Sequence, residues 1–191
     1  MSSSDRADEP SDSALVAPDG LTADDAWEHA RAFASRADQL AGGLDADAAL
    51  VSVLLARVAR ITAYDYEAAV HRPAGLTYTS FYLVATLAVA GPMENSRLAK
   101  ATGMSRAAVS SATKTLERDG WVQRERSDED GRSVILSLSD RGASRIPALF
   151  RDLNDRERQW NSSLSAEDRH ELVRLLRMLL DGAPEDARRR S

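Results

Sequence analysis

The stretch that decides the fold is residues 93–138, MENSRLAKATGMSRAAVSSATKTLERDGWVQRERSDEDGRSVILSL. It begins with a short helical segment that Gly103 should end. Ser105 is a good N-cap for a second helix, because its hydroxyl can accept a hydrogen bond from a free N–H of the first turn. Gly120 suits the left-handed conformation in which many helices end. A short helix, a turn and a second helix in this order predict a helix-turn-helix.

A two-stranded ribbon is predicted directly after the second helix. Trp121–Val122 and Val134–Leu136 are short apolar runs on either side of a polar, turn-forming stretch at residues 127–132. The pattern predicts a mainly α fold with a small β-wing (α+β), a winged helix-turn-helix. Such a module places its second helix in the major groove of DNA and its ribbon beside it.

The second helix has two different faces on a helical wheel. Val109, Ala112 and Leu116 share one face, which we expect to pack on Leu98 and Met104. The opposite face carries small, hydroxyl and cationic side chains, which suit contact with base edges and phosphates. The predicted DNA-contacting residues of this helix are Ser105, Arg106, Ala107, Ser110, Ser111, Lys114 and Arg118. Solvated helices also favour Lys and Arg, so this face alone does not distinguish a DNA contact from a solvent-exposed surface. The prediction of DNA binding rests on the preceding helix, the glycine at each end and the ribbon that follows.

The net charge of −5 is unevenly distributed along the chain. Residues 1–47 contain eleven acidic side chains against three arginines, a net of −8. Residues 91–141 contain nine basic and eight acidic side chains, a net of +1. Phosphate contacts need a local basic face rather than a basic whole protein. The distribution therefore permits DNA binding.

The chain is predicted to have six parts. An acidic arm, expected to be disordered, precedes an extra N-terminal helix, a dimerisation helix, the winged helix-turn-helix domain, C-terminal dimerisation helices and a tail. In that order the parts are 1–20, 21–43, 44–74, 75–140, 141–182 and 183–191. The dimerisation helix is expected to run unbroken from about Asp47 to His71, before Pro73.

The helices outside the winged module are too apolar for contact with one neighbour. The last helix carries apolar residues over more than half its circumference: Leu172, Val173, Leu175, Leu176, Met178, Leu179 and Leu180. Such a helix can be buried in the core of a monomer, or it can form a two-fold dimer interface. We favour the dimer, which would present two recognition helices about one DNA turn apart and bind a near-palindromic double-stranded site.

Several motifs give the chain a resemblance to the MarR family of bacterial regulators, from Ala48 to Leu180. The motifs occur in the family's order and spacing: Gly75–Phe81, Gly91-Pro92, Leu98-Ala99, Gly103–Arg106, Val109-Ser110, Leu116-Glu117, Gly120–Val122, Ser137–Ser139 and Leu164–Glu167. The resemblance implies a homodimeric transcription regulator, and we expect a repressor. The chain departs from many family members at Ser111, where they have Arg.

The resemblance also implies two further sites. The family's wing tip usually has two Asp-x-Arg steps, and this chain keeps the second, with Arg132 as a minor-groove contact held by Asp130. Members often bind small aromatic or phenolic acids in a crevice between the dimer helices and the DNA lobe. The residues here that could line an effector pocket are Tyr64, His71, Tyr78, Phe81 and Tyr82. At helical spacing the same aromatics could instead be core.

Composition argues against several other classes. The chain has no Cys, so thiol-based sensing and disulfides are excluded. We find no membrane-spanning run and no signal-peptide pattern, and we expect a cytoplasmic protein. The three histidines have no metal-site spacing and no nucleophile or phosphate-loop motif is present, so we expect no catalytic residues, no metal and no cofactor. Two alternatives stay open: a helical protein-interaction module, and a regulator controlled by a partner protein docking on the acidic arm.

Overall fold

The computed structural model describes residues 23–126 and 134–188. Its helices are α1 (Ala23–Ala41), α2 (Ala46–Tyr66), α3 (Tyr78–Ala90), α4 (Asn95–Thr102), α5 (Arg106–Arg118), α6 (Asp140–Trp160), α7 (Ala166–Asp181) and α8 (Glu185–Arg188). Its strands are β1 (Met93–Glu94), β2 (Val122–Arg126) and β3 (Val134–Leu138). The chain divides into two compact units, residues 1–60 and residues 61–191.

The described part of the first unit consists of α1 and most of α2. The helices are separated by Gly42 and Gly43, whose φ angles of 69° and 76° confirm that this pair ends the first helix. The carboxylate of Asp45 then caps α2 by accepting the N–H of Ala48 at 2.9 Å. Small residues on α1 are buried, whereas its larger side chains, such as Phe33, stay exposed.

The predicted unbroken helix from Asp47 to His71 is only partly right. Regular α-helix ends at Tyr66, and residues Glu67–His71 form a single π-helical turn. The Glu67 carboxylate binds Arg72 and also accepts the backbone N–H of Tyr78 at 3.1 Å, where α3 begins. One extra residue in the turn places these groups together, a contact that helical periodicity alone does not reveal.

The sheet has three antiparallel strands in the order β1-β3-β2. The ribbon of β2 and β3 is the predicted wing, with Val122 opposite Leu138 and Arg126 opposite Val134. The third strand, β1, pairs with β3 through Met93 and Glu94 and was not expected. It ties the start of the helix-turn-helix to the base of the wing.

One apolar core holds the winged module together. Its fully buried large side chains come from α3, α4, α5, β3 and the residue before β2: Leu83, Val84, Leu98, Val109, Leu116, Leu136 and Trp121. Val109 and Leu116 do face Leu98 and the partly buried Met104, as the wheel predicts, and Ala112 is half-buried. The predicted class, mainly helical with a small β-wing, is confirmed.

The two long helices after the wing begin at predicted caps. Ser139 accepts the N–H of Gly142 at 2.9 Å, and Ser165 forms a reciprocal capping box with Asp168.

Near the start of the second unit, Asp65 accepts hydrogen bonds from Arg156 Nε at 2.6 Å and Trp160 Nε1 at 2.7 Å. The hydrogen bond from Arg156 lowers the pKa of the Asp65 carboxyl. This cluster ties the end of α2 to α6.

None of the residues of α7 is buried. Its apolar side chains include Val173 and Leu180, which are 65% and 73% exposed. These exposures do not fit the alternative of a helix buried in the core of a monomer. The dimerisation role of this helix stays a prediction, as does the division of the chain into six parts.

Candidate nucleic-acid interface

The recognition helix α5 begins and ends as its sequence predicts. The Ser105 hydroxyl accepts the N–H of Ala108 at 3.2 Å. At the other end Gly120 has a φ of 74°, and the N–H of Trp121 reaches back to the carbonyl of Leu116 at 2.8 Å. Both ends fix the length of the helix and the direction in which β2 leaves it.

The polar face of α5 is turned away from the core. Its exposed residues include five of those predicted to contact DNA together with the capping serine: Ser105, Arg106, Ala107, Ser111, Lys114 and Arg118. Ser110 is half-buried at the edge of this face. The structure thus presents all seven predicted helix residues on or beside one surface. Their contacts with DNA stay a prediction.

Arg118 is the only one of these residues in α5 with an ion pair among the described residues. Its Nε lies 3.0 Å from Asp119 Oδ1, and its side chain is still 73% exposed. An exposed pair of this kind contributes little stability and is screened by salt. A DNA phosphate could therefore replace Asp119 as the partner of Arg118.

Arg124 on β2 has a structural role that the sequence did not reveal. Its Nε donates to Glu117 at 2.8 Å and its Nη2 donates to the hydroxyl of Thr113 at 3.0 Å. Thr113 is fully buried and donates in turn to the carbonyl of Val109 at 2.8 Å. The guanidinium of Arg124 is therefore used to hold the wing against the recognition helix. A helical wheel treats one helix at a time, so it could not show this contact.

The tip of the wing, including Asp130 and Arg132, lies outside the described residues. Its base is well defined, because five residue pairs hold β2 and β3 in antiparallel register. Exposed cations also lie on α4, where Arg97 and Lys100 face solvent.

The junction between the recognition helix and α6 is tightly built. The Ser139 hydroxyl donates to the carbonyl of Gly120 at 2.7 Å, and the Ser139 N–H donates to the carbonyl of Trp121 at 3.0 Å. Arg145 lies over the Trp121 ring and donates to the carbonyl of Ala74 at 2.7 Å. Burial of this guanidinium lowers its pKa. The position of the recognition helix is therefore linked directly to α6.

Four of the five predicted effector-pocket residues form a packed aromatic cluster. His71 stacks on Phe81 with ring centroids 4.1 Å apart, and Tyr78 lies 4.7 Å from Tyr82 with their hydroxyls 3.2 Å apart. Burial and the hydrogen bond to Tyr82 raise the pKa of Tyr78 to about 12. The fifth residue, Tyr64, is 52% exposed. Tyr82 is 43% exposed, and the ligand role of the cluster stays a prediction.

His71 is unusual within the aromatic cluster. It is 1% exposed, and neither ring nitrogen has a hydrogen-bond partner among the described residues. Burial lowers the pKa of the imidazole, and the charge of Glu67 acts in the opposite direction. The ring is therefore held neutral.

Two clefts lie on the surface of α6. The first, about 670 Å³, is lined by α6 residues together with Val70, Ala74 and Trp121, and it contains none of the five predicted effector residues. The second, about 700 Å³, lies between α6 and α7 and includes Leu176.

Among the described residues no helix is long and apolar enough to cross a membrane.

The core, wing and exposed helix face together define a winged helix-turn-helix of the DNA-binding regulator class. Comparison with known proteins agrees, because residues 76–134 match the model of the MarR family. The chain is 27% identical to the uncharacterised HTH-type transcriptional regulator YwaE of Bacillus subtilis. The alignment spans 138 residues, which are 72% of this chain and 81% of YwaE. The match to the MarR family thus falls on the winged-helix domain of this chain.

Solved structures show the same fold. A probable transcriptional regulator from Pseudomonas aeruginosa is 25% identical and superposes with a TM-score of 0.61, covering 68% of this chain and 96% of its own. The PcaV transcriptional regulator from Streptomyces coelicolor, solved in complex with its natural ligand, is 19% identical and superposes with a TM-score of 0.60. That superposition covers 70% of this chain and 93% of the PcaV chain.

Proposed function

We propose that the protein is a homodimeric, sequence-specific DNA-binding repressor of the MarR type. The observation that carries this proposal is the outer face of α5, where Arg106, Lys114 and Arg118 are exposed around small side chains. Small residues allow the helix to lie deep in the major groove, and the cations reach phosphates and base edges. At the wing tip, Arg132 oriented by Asp130 is the proposed minor-groove contact.

The proposed dimer is supported by the apolar surface of α7. Leu179 and Leu180 are 49% and 73% exposed, and neighbouring leucines extend the same surface. Contiguous exposed apolar surface of this kind marks an interaction site. A two-fold dimer buries the same patch on both copies and places two recognition helices on one face of a near-palindromic site.

We further propose that a small aromatic ligand releases the repressor from DNA. Support comes from the cluster of His71, Tyr78, Phe81 and Tyr82, which lies where α3 joins the turn after α2. PcaV has a natural ligand, so the fold accommodates one. A repressor needs only to occupy a promoter, and we place this activity in the cytoplasm, where the DNA is.

A gel shift with the protein's own promoter region, repeated at several salt concentrations, tests the proposal. Specific binding should weaken steeply as salt rises, because phosphate contacts release counterions. Sedimentation should show a dimer in the absence of DNA. The absence of a shifted band at low salt would overturn the proposal and favour a protein-interaction module.

A further inference from the structure

Arg124 of β2 is attached to the recognition helix at two points. Its Nε donates to the carboxylate of Glu117 at 2.8 Å, and its Nη2 donates to the hydroxyl of Thr113 at 3.0 Å. The two acceptors are four residues apart on α5, so they lie one turn apart on the same face of the helix. A guanidinium is planar and rigid, so contact with both acceptors fixes the direction of the strand as well as its distance from the helix.

Thr113 extends this attachment into the recognition helix. Its side chain is fully buried, and its hydroxyl donates to the carbonyl of Val109 at 2.8 Å. The hydroxyl proton is therefore used within the helix, while a lone pair of the same oxygen accepts from Arg124. Val109 is followed by Ser110, at the edge of the face that is predicted to contact DNA. The hydrogen bonds thus run from the wing to the middle of the helix that carries this face.

The strand end of the attachment is anchored in the sheet. Arg124 pairs with Leu136 of β3, whose side chain is fully buried in the core of the winged domain. β2 then continues to Arg126, and the proposed minor-groove contact Arg132 follows further along the chain. A strand advances about 3.3 Å per residue, so a small change of direction at Arg124 becomes a larger displacement further along the ribbon. The direction in which the wing leaves the core therefore depends on Arg124.

The charge of Arg124 is already paired within the winged domain. Its side chain is 24% exposed, whereas that of Arg118 is 73% exposed. A move of Arg124 onto a phosphate would break the hydrogen bonds to both Glu117 and Thr113, and charged hydrogen bonds are costly to lose. Arg118 has an exposed pair that a phosphate can replace, so the two arginines suit different roles.

We propose that Arg124 is a positioning residue for sequence recognition. Through Thr113 and Glu117 it holds the wing at one angle to α5, so that the helix and the wing fit two grooves of the same site together. The inference rests on the proposed DNA-binding function, and it assigns Arg124 no contact with DNA. Preference for the specific site requires both elements in register, whereas random DNA is held mainly through phosphates. Loss of the attachment should therefore reduce the preference more than the general affinity.

Fluorescence anisotropy tests this role with a duplex from the protein's own promoter region and a random duplex, each at several salt concentrations. Arg124→Gln should weaken binding to the promoter duplex at least about tenfold, the size expected for the loss of a groove contact. Its affinity for random DNA should change less than about twofold, with an unchanged salt slope. Lys114→Ala is the matched comparison, because this exposed cation of α5 should weaken both duplexes and lower the slope.

Two further variants show how Arg124 acts. Arg124→Lys keeps the charge but cannot donate to both acceptors in a fixed plane, so it should recover only part of the loss. Thr113→Val removes one acceptor and should lower the ratio of specific to random affinity by about threefold or more, which keeps the test available if Arg124→Gln does not fold. The double variant should bind the promoter duplex within about twofold of Arg124→Gln, because both changes break one attachment.

Thermal unfolding followed by circular dichroism establishes which variants are folded at the assay temperature. Equal weakening on both duplexes with a lower salt slope, or full recovery by Arg124→Lys, would make Arg124 a phosphate contact. Unchanged preference in the folded variants would limit the attachment to folding, and additive losses in the double variant would show that Arg124 does not act through Thr113. Each of these results would overturn the inference and leave the proposed function standing. Wild-type protein that binds neither duplex would overturn the proposed function itself, and the inference with it.

Discussion

The guanidinium carbon of Arg145 lies 3.7 Å from the centre of the Trp121 ring. Trp121 directly follows Gly120, where the recognition helix ends, and Arg145 also donates to the carbonyl of Ala74. One side chain of α6 thus contacts the residue that follows the end of α5 and the loop before α3. The winged domain is positioned by this contact as well as by its apolar core.

Arg145→Ala should lower the free energy of unfolding by about 1–3 kcal/mol, because it removes a cation–π contact and a charged hydrogen bond to a carbonyl. Denaturant unfolding followed by Trp fluorescence measures the loss. Arg151→Ala is the control, because Arg151 is exposed on the same helix. Equal stability of the two variants would show that the contact with Trp121 contributes nothing.

Gly142→Ala should be destabilising although it lies in a helix, where alanine is normally favoured. A Cβ at this position would lie 2.0 Å from the carbonyl oxygen of Trp121, so the first turn of α6 would have to move. Overpacking of this kind costs about 1–3 kcal/mol. Thermal unfolding compares it with Ala143→Ser at the exposed neighbouring position. A rise in the melting temperature of Gly142→Ala would contradict the close contact.

Much of this architecture is predictable because it is encoded locally. The caps at Ser105 and Ser139 and the stop at Gly120 each depend on residues within one or two turns, and all three are confirmed. The apolar face of α5 follows from helical periodicity in the same way. Local patterns therefore fix the two helices of the helix-turn-helix, the two-stranded ribbon and their order.

The features that the sequence does not reveal depend on contacts between distant residues. β1 has only two residues, so it forms no alternating pattern and exists through its pairing with β3. The link from Arg124 to Thr113 joins a strand to a helix across eleven positions. The packing of His71 against Phe81 likewise depends on how the π-helical turn meets α3. Only the folded chain shows which polar side chains, such as Arg124, already have hydrogen-bond partners within the protein.

Acid should destabilise the protein through His71. Its pKa in the folded protein is lowered from 6.5 by burial, so the unfolded chain takes up a proton at higher pH than the folded chain does. This group's contribution to stability is therefore complete above pH 6.5 and declines as the pH falls below that value. The lowered pKa of Asp65 has the same sign but acts below its usual value of 3.8.

His71→Phe should remove the loss of stability that His71 causes as the pH falls below 6.5. The new ring can stack on Phe81 without two unpartnered nitrogens, so stability at pH 7 should rise by roughly 1 kcal/mol. The free energy of unfolding measured from about pH 7 to pH 5 should vary less in the variant than in the wild type. Identical slopes for the two proteins would exclude His71 as the titrating group.

The cations of α5 should divide into two kinds of DNA contact. Lys114→Ala should weaken specific and random DNA alike and lower the salt slope by about one, because one phosphate contact is lost. Arg106→Ala, at the N-terminal end of the helix, should cost about 1–3 kcal/mol on the specific site and much less on random DNA. Fluorescence anisotropy with both DNAs at several salt concentrations measures the difference.

Arg151→Ala is the control for this pair, because it removes one exposed cation outside α5. A uniform loss of affinity for Arg106→Ala would make it a phosphate contact, contrary to the expectation. A salt slope unchanged in Lys114→Ala would show that Lys114 does not contact the backbone.

The final prediction concerns the dimer, which should depend on the apolar face of α7. Leu176 is a less suitable position for a test, because it is half-buried and lines the groove against α6. Leu179 is 49% exposed and lies outside that groove, so Leu179→Glu should leave the fold of the single chain intact. In a dimer interface the same charge would be buried without a partner, at a cost of several kcal/mol.

Leu179→Glu should therefore sediment as a monomer and lose specific DNA affinity by more than any single-contact variant, since a monomer can occupy only one half-site. His170→Glu adds the same negative charge to the polar side of α7 and should stay dimeric. Circular dichroism and thermal unfolding establish that both variants are folded. If Leu179→Glu is a dimer that binds the operator normally, the interface lies elsewhere on the chain, and the exposed leucines of α7 need another explanation.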